Sequence, residues 1–130
     1  MAKKKQEYGN ESIVTLKGAD RVRKRPAVIF GSDGIEGCQH SVFEILSNSI
    51  DEAREGYGNK IIVTRYEDKS VEIEDFGRGI PVDYNKNEER FNWELVFCEL
   101  YAGGKFNNND AESYEFSLGL NGLGLCSTQY

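Results

Sequence analysis

Glu44, Asn48, Asp51 and Glu52 recur at helical spacing, and His40 lies four residues before Glu44. At about 100° per residue the four fall within roughly a third of a turn of one another, and His40 stacks on the same face. A glutamate touching a histidine can polarise a water. An asparagine between acids offers a neutral carbonyl oxygen, which Mg²⁺ accepts when substrate phosphates supply its other ligands. Alone, the same pattern more often describes a solvated acidic helix face.

A second cluster follows the alternating run Val71-Glu72-Ile73-Glu74-Asp75, which has the period of a half-buried strand. That period puts Asp75 on the core face with Val71 and Ile73, while Glu72 and Glu74 point to water. A carboxylate there is costly unless hydrogen-bonded. Ionised aspartate only accepts, so its natural partner is an amino group such as the exocyclic amine of adenine. In Phe76-Gly77-Arg78-Gly79-Ile80-Pro81 the two glycines remove Cβ atoms and let a flat ring approach the backbone, and Pro81 stiffens the exit. The bland alternative is an Asx turn opening a glycine loop.

The third cluster is Ser117-Leu118-Gly119-Leu120-Asn121-Gly122-Leu123-Gly124-Leu125. It matches neither the dinucleotide-binding nor the P-loop pattern. Gly122 and Gly124 are expected to open the last helix, where free amides attract an anion. Lys105, in Ala102-Gly103-Gly104-Lys105-Phe106, adds a point charge for a phosphate. A flexible loop with a solvated lysine is the alternative. Together the clusters describe one pocket: a base and metal ligand on a helix, a base-reading carboxylate at a strand end, and a phosphate cradle.

The elements that position them are legible in outline. Residues 1–16 read as a polar arm. A short helix is expected from Lys17 to Lys24, stopped by Pro26, and a loop from Gly31 to Gly37. The main helix is expected from Cys38 to Glu55, buried through Val42, Ile45, Leu46, Ile50 and Ala53. Strands at 60–66 and 70–75 form a hairpin through Glu67-Asp68-Lys69. A third helix is expected from Asn92, as N-cap, to Gly103.

The 130 residues suffice for one domain with a single core, 38% of them are hydrophobic, and the net charge is −6. An acidic surface is no general nucleic-acid platform. No apolar run approaches the roughly 18 residues of a membrane span, and Met1-Ala2-Lys3-Lys4-Lys5-Gln6 is no secretory signal. Cys38, Cys98 and Cys126 are odd in number and far apart, which suits a reducing cytoplasm.

The segments "RVRKRPAVIFG", "HSVFEILSNSIDEA", "EDFGRGIP", "AGGKF" and "GLNGLG" stand in an order that resembles the N-terminal part of bacterial type II topoisomerase ATPase subunits, of the gyrase B or topoisomerase IV B type. The resemblance runs from about Tyr8 to the end. It implies the α+β Bergerat (GHKL) ATP-binding fold, a two-layer sandwich with helices on one face of a mixed or antiparallel sheet, incomplete at its C-terminus. Residues 17–130 would be the ATPase domain, with an ATP lid at about 103–124.

The resemblance also implies roles. Glu44 would be the general base toward the attacking water, with His40 assisting, and Asn48 would hold Mg²⁺ between the phosphates. Asp75 would bind the adenine amine, and Gly79, Ile80 and Pro81 would line the ring. Arg78 would wall the pocket with Glu52 as its ion-pair partner. Lys105 and the amides of Asn121, Gly122, Leu123 and Gly124 would hold the phosphates. Tyr8 and Ile13 would reach over a second copy, with Tyr8 touching that copy's nucleotide. DNA and a DNA-cleaving subunit would be partners of the whole protein.

Two departures stand out. Val28-Ile29-Phe30-Gly31 replaces the family's Met-Tyr-Ile-Gly, and Asn121 stands where many bacterial gyrases have histidine, which leaves gyrase against topoisomerase IV open. The later strands of the fold, the family's threonine near adenine and the lysine of the next domain are also missing, as in a fragment of a longer chain. Two other readings are a different GHKL ATPase, such as a MutL-like repair protein, and a DNA- or partner-binding domain built on Arg21-Val22-Arg23-Lys24-Arg25.

Overall fold

The computed structural model describes residues 9–100 and 123–130. Tyr8, Lys105, Asn121 and Gly122, and residues 103–122 of the expected lid, lie outside that range.

A 3-10 turn at Asn10–Ser12 precedes helix α1, Ala19–Arg23. Pro26 does end α1 but also begins something new: it is the first residue of α2, Pro26–Phe30, which sequence reasoning missed. A proline costs nothing at that position, because the first helical N–H has no intrahelical partner. The long helix α3 runs Ile35–Arg54, starting three residues before the expected Cys38. Gly37 reads as loop in the sequence. It is instead a buried helical residue whose missing Cβ lets the first turn sit against the Ser32 carbonyl.

Strands β1, Ile61–Arg65, and β2, Val71–Asp75, pair antiparallel with Ile61 opposite Asp75 and Arg65 opposite Val71. The expected turn closes them: Tyr66 N–H donates to the Ser70 carbonyl at 2.9 Å, and Asp68 accepts from the Ser70 amide and hydroxyl. A second small ladder, β3 (Tyr84–Asn85) with β4 (Arg90–Phe91), escapes sequence reading. Two-residue strands are too short to show alternation, and what closes them is Asn85, whose side chain accepts from the amides of Asn87 and Glu88.

Helix α4 is Asn92–Cys98, shorter than the expected run to Gly103. Its N-cap is Phe91, not Asn92. The Asn92 side chain is bonded to Asn85 and its N–H to the Asp83 carbonyl, while Glu94 accepts from the Phe91 amide. Helix α5, Gly124–Gln129, opens at Gly124 as expected.

Among the described residues the fully buried apolar side chains are Val22 and Cys126, joined by polar Ser47, Ser49, Asp51 and Ser127. The apolar stripe of α3 is only half-buried, because the two strands β1 and β2 cover it in part. The buried residues of α3 lie on more than one side, with Gly37 against the Ser32 carbonyl and Ser49 against Asp75. The layering is that of an α+β sandwich, with α3 packed on β2 and an antiparallel sheet.

Candidate functional site

His40, Glu44, Asn48 and Glu52 stand at successive four-residue steps along α3. His40 Nε2 lies 2.9 Å from Glu44 Oε1, so the expected pairing of imidazole and carboxylate is made. Both remain reachable, with side chains 45% and 28% exposed. The Phe30 ring on α2 stands edge-on to the His40 ring, 6.3 Å between centroids. Gly124, the first residue of α5, presses its backbone against Glu44: a Cβ there would occupy the space of the Glu44 carboxylate. The last glycine of the third cluster therefore lies against the expected base. Leu123, just before it, is half-buried.

Asn48 is exposed on the same helix. Asp51 corrects the expectation of a uniformly solvated acidic face, since only 3% of it is exposed. The helical period places it beside Glu44 and Ser47, on the side that α5 covers.

Asp75 is the larger correction. Alternation in the sequence assigns it to a buried core face, but in the fold it is exposed at the end of β2. It is nonetheless held. The Ser49 hydroxyl donates to Oδ2 at 2.6 Å and the Gly77 amide to Oδ1 at 3.0 Å. The second bond is the Asx turn of the bland alternative. A carboxylate offers about four acceptor sites, so two protein donors leave room for a further one.

Gly77 also has a reason other than a ligand: a Cβ there would run into the Glu52 side chain. Gly79 has φ +78 with open space around it, a conformation that side-chain-bearing residues rarely adopt. Ile80 and Pro81 follow it in exposed positions.

Arg78 is paired with Glu52, the partner that the resemblance implies. Its Nε donates to Glu52 Oε1 at 2.7 Å and its Nη2 to Glu52 Oε2 at 3.0 Å, a two-pronged pair. Nη2 also reaches Glu55 Oε2 at 2.7 Å, and the Arg78 amide donates to Glu52 Oε1 at 3.0 Å. The hydrogen-bonded Glu52 carboxylate pushes the guanidinium pKa up, so Arg78 stays charged. Sequence reasoning missed the partner Glu55; its place three residues beyond Glu52, at the end of the helix, is the available signal.

The basic residues of the run are exposed, and among the described residues only Arg23 reaches a distant part of the chain. Arg21 donates to the Leu16 carbonyl, Arg23 to the Tyr130 carbonyl and Arg25 to the Lys24 carbonyl, and Lys24 pairs with Asp20. A cavity of about 240 Å³ between α1, α2, α3 and α5 is lined by Val22, Pro26, Phe30, Cys38 and Ser127, away from Asp75 and Arg78.

The histidine kinase-, DNA gyrase B- and HSP90-like ATPase family matches residues 34–129. The chain belongs to that family. DNA gyrase B of Thermotoga maritima is 50% identical over 92% of this chain, which covers 18% of that protein. The chloroplastic and mitochondrial DNA gyrase B of Nicotiana benthamiana is 46% identical over 91% of the chain and 16% of the relative. The chain thus spans less than a fifth of the length of these curated relatives. Among solved structures, the 43K ATPase domain of Thermus thermophilus gyrase B, in complex with an aminocoumarin, matches with a TM-score of 0.57 and 44% identity. The match covers 61% of this chain and 22% of the other. The GHKL fold expected from the motifs is therefore the fold of this family member, in part.

Proposed function

We propose that the chain is an ATP-binding and ATP-hydrolysing module of a type II DNA topoisomerase of the gyrase B or topoisomerase IV B type. The observation that carries this reading is the contact of Gly124 with the Glu44 carboxylate, itself paired with His40. It brings the last glycine of the glycine segment to the helix residue best placed to activate water. Gyrase B relatives at 46–50% identity support the same reading.

In this proposal Glu44 accepts a proton from the attacking water and His40 steadies its carboxylate. The amides of Asn121, Gly122, Leu123 and Gly124, with Lys105, bind the phosphates. Asp75 accepts from the adenine amine, Gly79, Ile80 and Pro81 line the ring, and Arg78 walls it. Among the described residues no group of three or more His, Cys, Asp or Glu side chains gathers to hold a metal. One exposed carboxamide, Asn48, suits an ion that takes its other ligands from phosphates and water, as Mg²⁺ does. When bound, Mg²⁺ would neutralise charge on the phosphates.

At the level of the whole protein, the proposal includes an arm at 1–16, a lid at about 103–124, dimerisation with a second copy on ATP binding, and DNA passage with a DNA-cleaving subunit. A cytoplasmic location goes with that assignment. No helix of the described residues is long and apolar enough to cross a membrane.

The test is the thermal midpoint with and without a magnesium-bound, non-hydrolysable ATP analogue, with Asp75→Asn as control. Ligand at about a hundred times its dissociation constant adds about 2.7 kcal/mol. A rise that the variant loses is the expected result. No rise in this chain or in a longer one overturns the ATP reading.

A further inference from the structure

The Arg78 guanidinium carbon lies 3.6 Å from the centroid of the Tyr57 ring, at van der Waals contact and well within cation–π range. The two residues ride on abutting backbones. Tyr57 N–H donates to the Glu52 carbonyl at 3.1 Å, just beyond the end of α3. Gly58, at φ +82, comes so close to the Phe76 carbonyl that a Cβ would lie 2.9 Å from it. The segment carrying the ring therefore presses on the segment carrying the guanidinium.

The carboxylates of Glu52 and Glu55 hold the guanidinium by its edges, and the Tyr57 ring covers one of its faces. Edge bonds and a covered face together restrict its plane more than edge bonds alone. Arg78 keeps 48% of its side chain exposed, so the covering is partial and leaves surface to face a ligand. We propose that Tyr57 is a positioning residue for Arg78, setting the plane in which the guanidinium walls the nucleotide site. This deepens, and rests on, the nucleotide reading above. The requirement is for an aromatic face, since Phe and Tyr present the same ring to a cation.

The experiment measures the affinity of this chain for a magnesium-bound, non-hydrolysable ATP analogue in the wild type, Tyr57→Phe, Tyr57→Leu, Arg78→Ala and the Tyr57→Leu/Arg78→Ala double variant. Alongside it, NMR follows the ring-current displacement of the Arg78 side-chain resonances in the ligand-free wild type and Tyr57 variants. The expected result is wild-type affinity in Tyr57→Phe and a loss of about two- to fivefold in Tyr57→Leu, with no further loss from Tyr57→Leu once Arg78 is alanine. Unchanged binding in Tyr57→Leu, or a loss that persists in the Arg78→Ala background, overturns the proposal. Absence of binding by the wild type, in this chain and in a longer one alike, overturns the nucleotide reading and the effect on affinity. In that case a displacement kept in Tyr57→Phe and lost in Tyr57→Leu still supports Tyr57 as the residue that orients Arg78, and its absence from the wild type overturns that role too.

Discussion

Gly124 and Glu44 occupy adjoining space so closely that only a residue without a side chain fits between the start of α5 and the carboxylate on α3. The two are 80 positions apart in the chain, and their contact ties the glycine segment to the helix that carries His40, Asn48 and Glu52.

Gly124→Ala is accordingly expected to force Glu44 aside or lift α5 off α3. Overpacking of this kind costs about 1–3 kcal/mol. Urea denaturation would read the loss of stability, and the His40 imidazole resonance would read displacement of its Glu44 partner. A variant as stable as the wild type with an unmoved His40 would show that α5 is not seated on Glu44.

Ser49 and Asp75 give a second prediction. The Ser49 hydroxyl is the buried donor to an ionised acceptor, so Ser49→Ala should lower stability by about 1–2 kcal/mol. Asp75→Asn keeps the shape and one acceptor, so it retains the bond from Ser49 or the one from the Gly77 amide and should cost a comparable amount. Under the proposed function it should lose adenine binding. Chemical denaturation and nucleotide titration of both variants separate the two effects, and equal affinity in Asp75→Asn would remove Asp75 from base recognition.

Limited proteolysis tests the Glu52–Arg78 pair. Trypsin needs the arginine side chain extended into its own pocket, and Glu52 holds that side chain by two hydrogen bonds. Glu52→Gln should therefore speed cleavage after Arg78 severalfold relative to cleavage after Lys69 in the exposed β1–β2 turn. Equal acceleration at both sites would indicate general loosening instead.

Alkaline pH should weaken the α4–α5 contact. Burial pushes the Cys126 thiol above its ordinary 9.0, and burial likewise raises the Tyr130 phenol above 10.0, where it donates to the Cys98 carbonyl at 2.7 Å. Both groups are neutral in folded and unfolded states below those ordinary values. As pH rises past them the unfolded chain ionises first, so stability falls from about pH 9 upward. Denaturation midpoints between about pH 8 and 11 would show the decline, and Cys126 should resist alkylation that exposed Cys38 undergoes readily. A flat profile over that range would contradict it.

Much of this is legible in the sequence because periodicity and turn chemistry are local. The α3 register, the β1–β2 hairpin and the spacing of His40 and Glu44 all follow from residues within a few positions of one another. The Glu52–Arg78 pair comes from the family resemblance, not from the pattern. Tertiary contact decides the rest. Gly37 is helical because of what it packs against, Pro26 starts a helix that rests on α1 and α3, and Asn92 gives up the capping position because Asn85 takes its side chain. Asp75 shows the limit most clearly. Alternation assigns it to the correct side of the strand, while its exposure depends on how many strands stand beside it.

The four-residue steps from His40 to Glu52 make α3 a ruler. At about 1.5 Å per residue Glu44, the proposed base, and Glu52, the arginine clamp, are set roughly 12 Å apart on one rigid rod. A single inserted or deleted residue between them would turn one end by about 100° against the other and break their alignment. Under the proposed function a ligand that spans both must match that fixed length, so adenosine alone or a free triphosphate would engage one end and leave the other idle.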